Sequence, residues 1–591
     1  MNAKRKLTTL LASLMTCSVL ATSTINVFAE GESGEQPPSS DNNGGTPPEK
    51  PDGESSDSNG TPGEPPSGEA PNGEGGGGMG GANTQSFDYS GSYSATKSAS
   101  GTEESSSNET LEATESDVNV TLAQNGGTLT IDNDTLNKSG DDDNGDNCNF
   151  YGLNSIALTV GSDSLTKISN STLSSTSEGS NAIFATDSGT VYSYNNTITT
   201  TAGNSRGLDA TYSGTIIADS MDISTQGGHS ATIATDRGGG SVSVTNSTLS
   251  TAGSGSPLLY STGDIEVDNV TGTATGSQIV GMEGLNTILI YNSQLSSTNN
   301  AISSSDPIKN GVIIYQSTSG DAETSTGEAA TFNAVNSILS TAIDSGSMFY
   351  LTNTTANIVL SDTILTFDSD NVNLLQVEGN DSNSWGTAGS NGAVVNFTGL
   401  GETLSGNITA DTISTANVYL LEGTTYTGST SITENSVNTD TKDNNITMNV
   451  SSDSAWIVTG DSTVTNLNVE EGGKVIDSDG NTVTIIANGE TVVEGDSEYT
   501  ITVTGTYGTS FDTSEANELT TDYIDRSEFD STYNVSTTFS ANGSVSEVQA
   551  TTETVASTTT TEENNNTLLY VGIGVVAVAV ILGTIIITKK K

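Results

Sequence analysis

Six copies of one short phrase run through the middle of this chain at nearly constant spacing, and they restrict the fold more than any other feature. Each is an Asn or Ser followed three residues on by an aliphatic residue or Gly. The copies start at Asn170, Asn195, Ser220, Asn246, Asn269 and Asn292, separated by 25, 25, 26, 23 and 23 residues. The companion column reads Leu173, Ile198, Ile223, Leu249, Gly272 and Leu295, and four residues before the phrase stand Thr166, Val191, Ile216, Val242, Ile265 and Ile288. Such a period is too short for helical-pair repeats, which need upwards of ~33 residues, and leaves leucine-rich repeats or a parallel β-helix. The L-x-x-L-x-L signature of the former is missing.

Within each period, segments such as VYSYNNTIT, TIIADSMDIS, SVSVTNSTLS and DIEVDNVTGT alternate apolar with small polar residues and are rich in β-branched types. Gly punctuates the turns between them, so the segments read as strands. Stacking one coil of strands on the next places equivalent residues roughly 4.8 Å apart and turns every column into a ladder. Aliphatic columns then fill the interior, and stacked Asn carboxamides, which both donate and accept, are expected to occupy inward turns. The expected fold is all-β, a parallel β-helix over 116–494 with about 21–27 residues per coil.

The ends carry targeting signals. Residues 1–29 read as a signal peptide, with Lys4, Arg5 and Lys6, an apolar stretch, then Val27-Phe28-Ala29 before Glu30. Leu568 to Ile587 is an uncharged apolar run followed by Lys589, Lys590 and Lys591, which predicts a transmembrane helix over 568–588 and a cytoplasmic tail over 589–591. The expected location is therefore the cell membrane, with a single span and an extracellular ectodomain. The chain holds 72 acidic against 16 basic residues, a net charge of −56. That balance argues against nucleic acid and anionic lipid as partners. Only Cys148 remains once the signal is removed, so no intramolecular disulfide is expected.

Residues 30–85 hold most of the prolines with Gly, Ser and Glu, and read as a disordered arm. Residues 86–115 stay polar and read as a linker. Two polar, Gly-rich insertions follow Leu295, STSGDAETSTGEAAT and EGNDSNSWGTAGSNG, and are expected to bulge from the solenoid. Residues 495–548 carry aromatics without the repeat and are expected to cap the open coil end, and 549–567 read as a disordered spacer.

The mature ectodomain contains one His and three Arg, and three of these four fall in adjacent coils: Arg206, His229 and Arg237. His229 is read as replacing a Ser in the turn column Ser180, Ser205, Ser256, Ser277. Aligning Ala185-Thr186, Ala210-Thr211 and Ala234-Thr235 puts Asp209 in an outward column with Phe184 and Ile233, and Asp236 in a second with Asp187 and Tyr212. Arg206, Asp209, His229, Asp236 and Arg237 are then candidates for one ligand-binding patch, Arg as a forked donor and carboxylate and His as proton-transfer groups. Arg–Asp salt bridges between coils are the alternative. Trp385, in the second insertion, is a candidate for stacking on a sugar ring, or for folding back over its own loop. Asp141, Asp142, Asp143 and Asp146 crowd one loop and are candidate Ca2+ ligands, although Gly is not at the sixth position of a calcium loop; a solvated acidic turn is the alternative. No cofactor is otherwise required. Sequons such as Asn170-Ser171-Thr172 and Asn246-Ser247-Thr248 coincide with the Asn column, where inward-pointing side chains would exclude glycosylation.

With these features assembled, segments such as SRGLDATYSGTI, HSATIATDRGGGSVSVTNSTLS and GSGSPLLYSTGDI resemble right-handed parallel β-helix proteins of the pectin-lyase-like class, nearest to adhesin-like surface proteins of Gram-positive anaerobes. The resemblance covers roughly 120–530. It implies a right-handed solenoid and hosts both enzymes and inert stalks. A polygalacturonase-like enzyme would bring N-T-D, D-D, G-H-G and R-I-K motifs, of which this chain offers only Gly228-His229-Ser230 and Thr235-Asp236-Arg237. The expected function is a membrane-anchored adhesin or structural stalk whose partner is an extracellular polysaccharide or host cell-surface ligand. The alternative is a polysaccharide lyase or glycoside hydrolase.

Overall fold

The computed structural model describes residues 85–319, 321–322, 329–381, 385–537 and 539. The signal peptide, the arm up to residue 84, the spacer, the apolar segment 568–588 and the Lys tail lie outside the described residues. Among the described residues, no helix is long and apolar enough to cross a membrane.

Each coil contributes three short strands to three long sheets. In one coil they are Ile183–Thr186, Thr190–Tyr194 and Thr197–Thr200; in the next, Leu208–Ala210, Gly214–Asp219 and Asp222–Thr225. The first sheet has 13 strands, from Ala95–Ser100 to Thr430–Thr433, the second 15, from Glu103–Ser107 to Tyr507–Gly508, and the third 10, from Thr110–Ala113 to Ile364–Thr366. Every pairing within these three sheets is parallel, the architecture of a parallel β-helix. Past residue 400 a four-stranded sheet from Thr403–Ser405 to Lys474–Asp477 takes over the third face, and another four-stranded sheet, including the antiparallel hairpin strands Thr484–Ala487 and Glu490–Val493, closes the far end.

Both companion columns of the repeat are in register. Thr166, Val191, Ile216, Val242, Ile265 and Ile288 pair in succession along the second sheet, and Leu173 through Leu295 along the third. These side chains are buried, and each full aliphatic burial contributes roughly 1.5–3 kcal/mol. Gly272 breaks the Leu/Ile column because the space is taken: a Cβ there would lie 2.8 Å from Leu258 Cδ1 and 3.0 Å from Leu295 Cδ2.

The Asn column faces outward, correcting the expectation of inward turns. Asn170, Asn195, Ser220, Asn246, Asn269 and Asn292 adopt left-handed backbone with φ between 49° and 57°, a conformation Asn tolerates better than most residues. This bend joins the second sheet to the third and leaves the carboxamides exposed or half-buried. They form a surface ladder, with Asn195 Nδ2 donating to Asn170 Oδ1 (2.8 Å) and Asn269 Nδ2 to Asn246 Oδ1 (2.6 Å). The buried ladder is the next residue: Asn196, Ser247, Ser293 and Ser337 each accept the backbone N–H of the preceding coil. Burial therefore does not exclude glycosylation at the sequons.

Two further expectations are corrected. The polar stretch 86–115 is not a linker, because it contains the first coil: Ala99 pairs with Ala123 and Leu111 with Leu136. A terminal coil has a neighbour on one side only, so polar residues suffice for much of it. The segment 495–548 is only partly a cap. After Tyr507–Gly508 closes the second sheet, the described chain runs back along that sheet's outer face as a strap.

The strap follows one outward column, Tyr419, Thr398, Val359, Asn333, Leu289, Glu266, Ser243, Ile217, Tyr192, whose members pair in register. Phe511 packs on Tyr419, Asn517 Nδ2 donates to Thr398 Oγ1, Thr520 N to Asn333 Oδ1 and Ile524 N to Glu266 Oε1. Arg526 is 4% exposed and donates to the carbonyls of Ala218 and Ser243 and to three hydroxyls. Helix α2 (Ser527–Tyr533) then seats the fully buried Phe529 against Tyr192 and Ile217.

Candidate functional site

The outer face of the first sheet is built differently. Its outward column reads Phe184, Asp209, Ala234, Tyr260, Gly281, Ile313, Tyr350 and Gln376. Helix α1 (Gly145–Tyr151) and residues from Gln85 cover its early part: Thr211 donates to the Phe150 carbonyl, and Phe87 and Tyr151 pack on Tyr212. Further along, connections at both ends of the strands lengthen into loops. Thr298–Lys309 enters this sheet, and the described parts of 316–329 and 378–393 leave it.

Between these loops lies a cavity of about 250 Å3 lined by Arg206, His229, Tyr260, Gln278, Asp306, Tyr315 and Trp385, among others. Three of the six sequence-predicted ligand residues, Arg206, His229 and Trp385, thus share one cleft. Trp385 neither stands free nor folds over its own loop; its ring packs down on the first sheet, against Tyr315, Ile313 and Tyr350. It is 6% exposed and stacks on Tyr315 with centroids 4.0 Å apart at 26°. Its carbonyl accepts from Asn380 Nδ2 and Asn391 Nδ2, which fixes the loop.

The alignment behind the expected patch was one residue off in the coil of His229. Asp209 pairs with Ala234, not Ile233, and Ala210 with Thr235. The buried Ser ladder continues through Ser205, Ser230 and Ser256, each oxygen accepting the N–H of the preceding Ser. His229 instead occupies the adjoining left-handed position, with φ of 52°, alongside Gly179, Asn204 and Gly255. Its ring is exposed, with Nε2 3.4 Å from Ser304 Oγ across the cleft.

Asp209, Asp236 and Arg237 do not face the cleft. Arg206 Nη2 lies 3.0 Å from Asp236 Oδ2, Nη1 lies 3.5 Å from Asp209 Oδ2, and Nη1 donates to Asn149 Oδ1 at 3.0 Å. Arg206–Asp236 is an inter-coil ionic contact of the kind named as the alternative, while Arg206–Asp209 lies within one coil. Asp209 is fully buried, neither of its oxygens accepts a hydrogen bond, and burial raises its carboxyl well above the usual range. Burial also raises Asp236, with Arg206 opposing. Arg237 turns away to pair with Asp321 and lies over the Phe150 ring, 3.6 Å from its centroid.

The candidate Ca2+ ligands do not converge. Asp141 Oδ1 accepts from Glu178 N, Asp143 donates its N–H to Asp117, and Asp146 lies in the first turn of α1, capped by Asn144. Among the described residues, no group of three or more His, Cys, Asp or Glu is placed to hold a metal ion. Cys148 is free and buried.

Sequence reasoning missed Tyr260, Gln278, Asp306 and Tyr315. Glu283 Oε2 accepts from Tyr260 Oη at 3.2 Å and Glu283 Oε1 from Ser317 N at 3.2 Å, so a buried carboxylate orients the cleft's aromatic floor. Asp306 accepts from Asn310 Nδ2, and burial pushes its carboxyl up to about 7. The signal available was the third long connection, Thr298–Lys309, which breaks the coil length as the two insertions do. The fold and cleft define a solenoid of parallel strands with a loop-walled recess on one face. Compared with protein-family models, curated proteins and solved structures, the chain matches none of them.

Proposed function

We propose that this protein is a membrane-anchored extracellular β-helix surface protein, an adhesin or stalk, that binds carbohydrate in the cleft on the outer face of its first sheet. One observation carries the reading: long connections at the ends of first-sheet strands wall one recess lined by tyrosine, Trp, Gln, Asp and His side chains. Aromatic walls with a few oriented polar groups suit a hydroxylated ring. The signal and anchor segments of the sequence support an extracellular, tethered placement. Arg206 is neutralised by its own coils, which disfavours a polyuronate as the ligand.

A glycan array probed with the purified full chain tests this. The expected result is binding of a subset of neutral or amino-bearing oligosaccharides that is lost in Trp385→Ala and weakened in His229→Ala. Absence of binding to every glycan would remove the carbohydrate reading. A hydrolytic reading draws on Asp306, whose raised carboxyl could hold the proton of a general acid. Release of reducing ends that disappears in Asp306→Asn would favour it.

A further inference from the structure

A second cavity, of about 440 Å3, adjoins the cleft, and Ser305 borders both. We propose that it holds the protonated amine of an amino-sugar residue in the same bound oligosaccharide; the inference rests on the carbohydrate reading above. Four carboxylates line it, Glu378, Asp381, Asp411 and Glu434, and no Lys, Arg or His does among the described residues. Asp411 is 3% exposed. Its Oδ2 accepts from Gly379 N at 3.0 Å and Asn435 Nδ2 at 2.7 Å, while Oδ1 accepts from no donor.

A buried carboxylate oxygen without a donor is costly. Elsewhere on this face Asp236 has Arg206, and Glu283 has Tyr260 and Ser317, while Asp209, also without a hydrogen-bond donor, lies 3.5 Å from Arg206 Nη1. At Asp411 no cation of the chain is paired with the carboxylate among the described residues, and a donor on the ligand would offset the cost. An ammonium group fits, with three N–H donors and a charge that four carboxylates favour. A metal ion fits less well, because no group of three or more such ligands among the described residues is placed to hold one. Ile308, Pro307 and the ring of Tyr350 supply an apolar wall for the sugar that carries the amine.

The net charge of −56 attracts any polycation, so variants and matched ligands rather than binding alone are the readout. Calorimetric titration of the full chain at pH 6 and physiological salt would compare a β-1,4-glucosamine hexamer, its fully N-acetylated counterpart, a neutral cellohexaose and putrescine. The glucosamine hexamer is expected to bind about tenfold or more tighter than the acetylated one, and Asp411→Asn to erase that preference while leaving neutral-oligomer binding unchanged. Glu378→Gln, at a less buried position, should reduce the preference in the same direction and guards against misfolding of the first variant. Equal affinity for acetylated and free-amine hexamers overturns the amine site and leaves the carbohydrate reading standing. Putrescine binding that Asp411→Asn abolishes, with no sugar bound, overturns the carbohydrate reading and with it the amino-sugar assignment. No binding of any probe overturns both.

Discussion

The outer faces of the first and second sheets are made from the same repeat, yet one is sealed and the other left open. The second-sheet column presents Tyr192, Ile217, Leu289 and Tyr419, and the strap covers it rung by rung with matching aromatic and hydrogen-bonding groups. The first-sheet column is covered near its start by α1 and again at Ile313 and Tyr350 by Trp385, and Tyr260 and Tyr350 border cavities between and beside these covers. In a solenoid the inward residues are spoken for by the stack, so the outward residues decide whether a face becomes structure or site. Here the same chemistry, tyrosines and buried carboxylates on parallel strands, serves both ends.

Arg206 is the sharpest point of difference, since it lies beneath the open face as Arg526 lies beneath the closed one. Arg206→Ala leaves Asp209 and Asp236 buried without a countercharge and should cost about 3–5 kcal/mol in urea unfolding. The triple variant with Asp209→Asn and Asp236→Asn should recover most of that loss; failure to recover would mean that Arg206 acts by packing instead. Arg526→Ala should cost less, roughly 2–3 kcal/mol, and act locally. Limited proteolysis would then cut within 509–539 while the coils stay protected, and loss of the whole stack would show that the strap is integral to it.

Two buried glutamates, one on the second sheet and one in the turn that leaves it, predict one pH response. Burial pushes Glu266 and Glu402 up to about 7, above the ordinary glutamate value of 4.5. Between those values the folded protein keeps protons that the unfolded chain has released, so stability falls as pH rises from about 4.5 through 7. Melting temperature should therefore be higher at pH 5 than at pH 8, each such group contributing on the order of 1–2 kcal/mol. Glu402→Gln should flatten the slope; an unchanged slope would place the effect in the overall negative charge. The smallest effect is expected at the surface ladder. Asn195→Ala, which loses the carboxamide bonds and places Ala in a left-handed turn, should cost about 1 kcal/mol by chemical denaturation.

The stack was legible because aliphatic side chains carry register. Val191, Ile216 and Val242, or Ile198, Ile223 and Leu249, mark equivalent positions in any coil. Small residues do not, and the Ala-Thr dipeptide at 234–235 matched Ala185-Thr186 and Ala210-Thr211 by composition while lying one place away in space. The pairing of Leu208 with Ile233 was the better guide. The outward turn of the Asn column was hidden because Asn suits both an inward ladder and a left-handed bend, and only backbone geometry separates them. Of the site, His229, Arg206 and Trp385 stood out as departures from the repeat and do meet at one cleft. Tyr260 and Tyr315 did not stand out, because an outward tyrosine on a strand looks the same whether a loop folds over it or not. The strap was invisible for a related reason: it contacts coils through side chains of its own without repeating.

The strap also sets where tension enters the molecule. Past Thr537, whose hydroxyl bonds Arg526 and Asp530, Phe539 packs beside Leu289 and Tyr291 midway along the coils. A pull on the chain beyond this point would be borne first by Phe539, then by Thr537 and the Arg526–Phe529 anchorage. The strap would peel away rung by rung before any coil unwinds. Loaded in that order, it would act as a fastening that yields before the stack does.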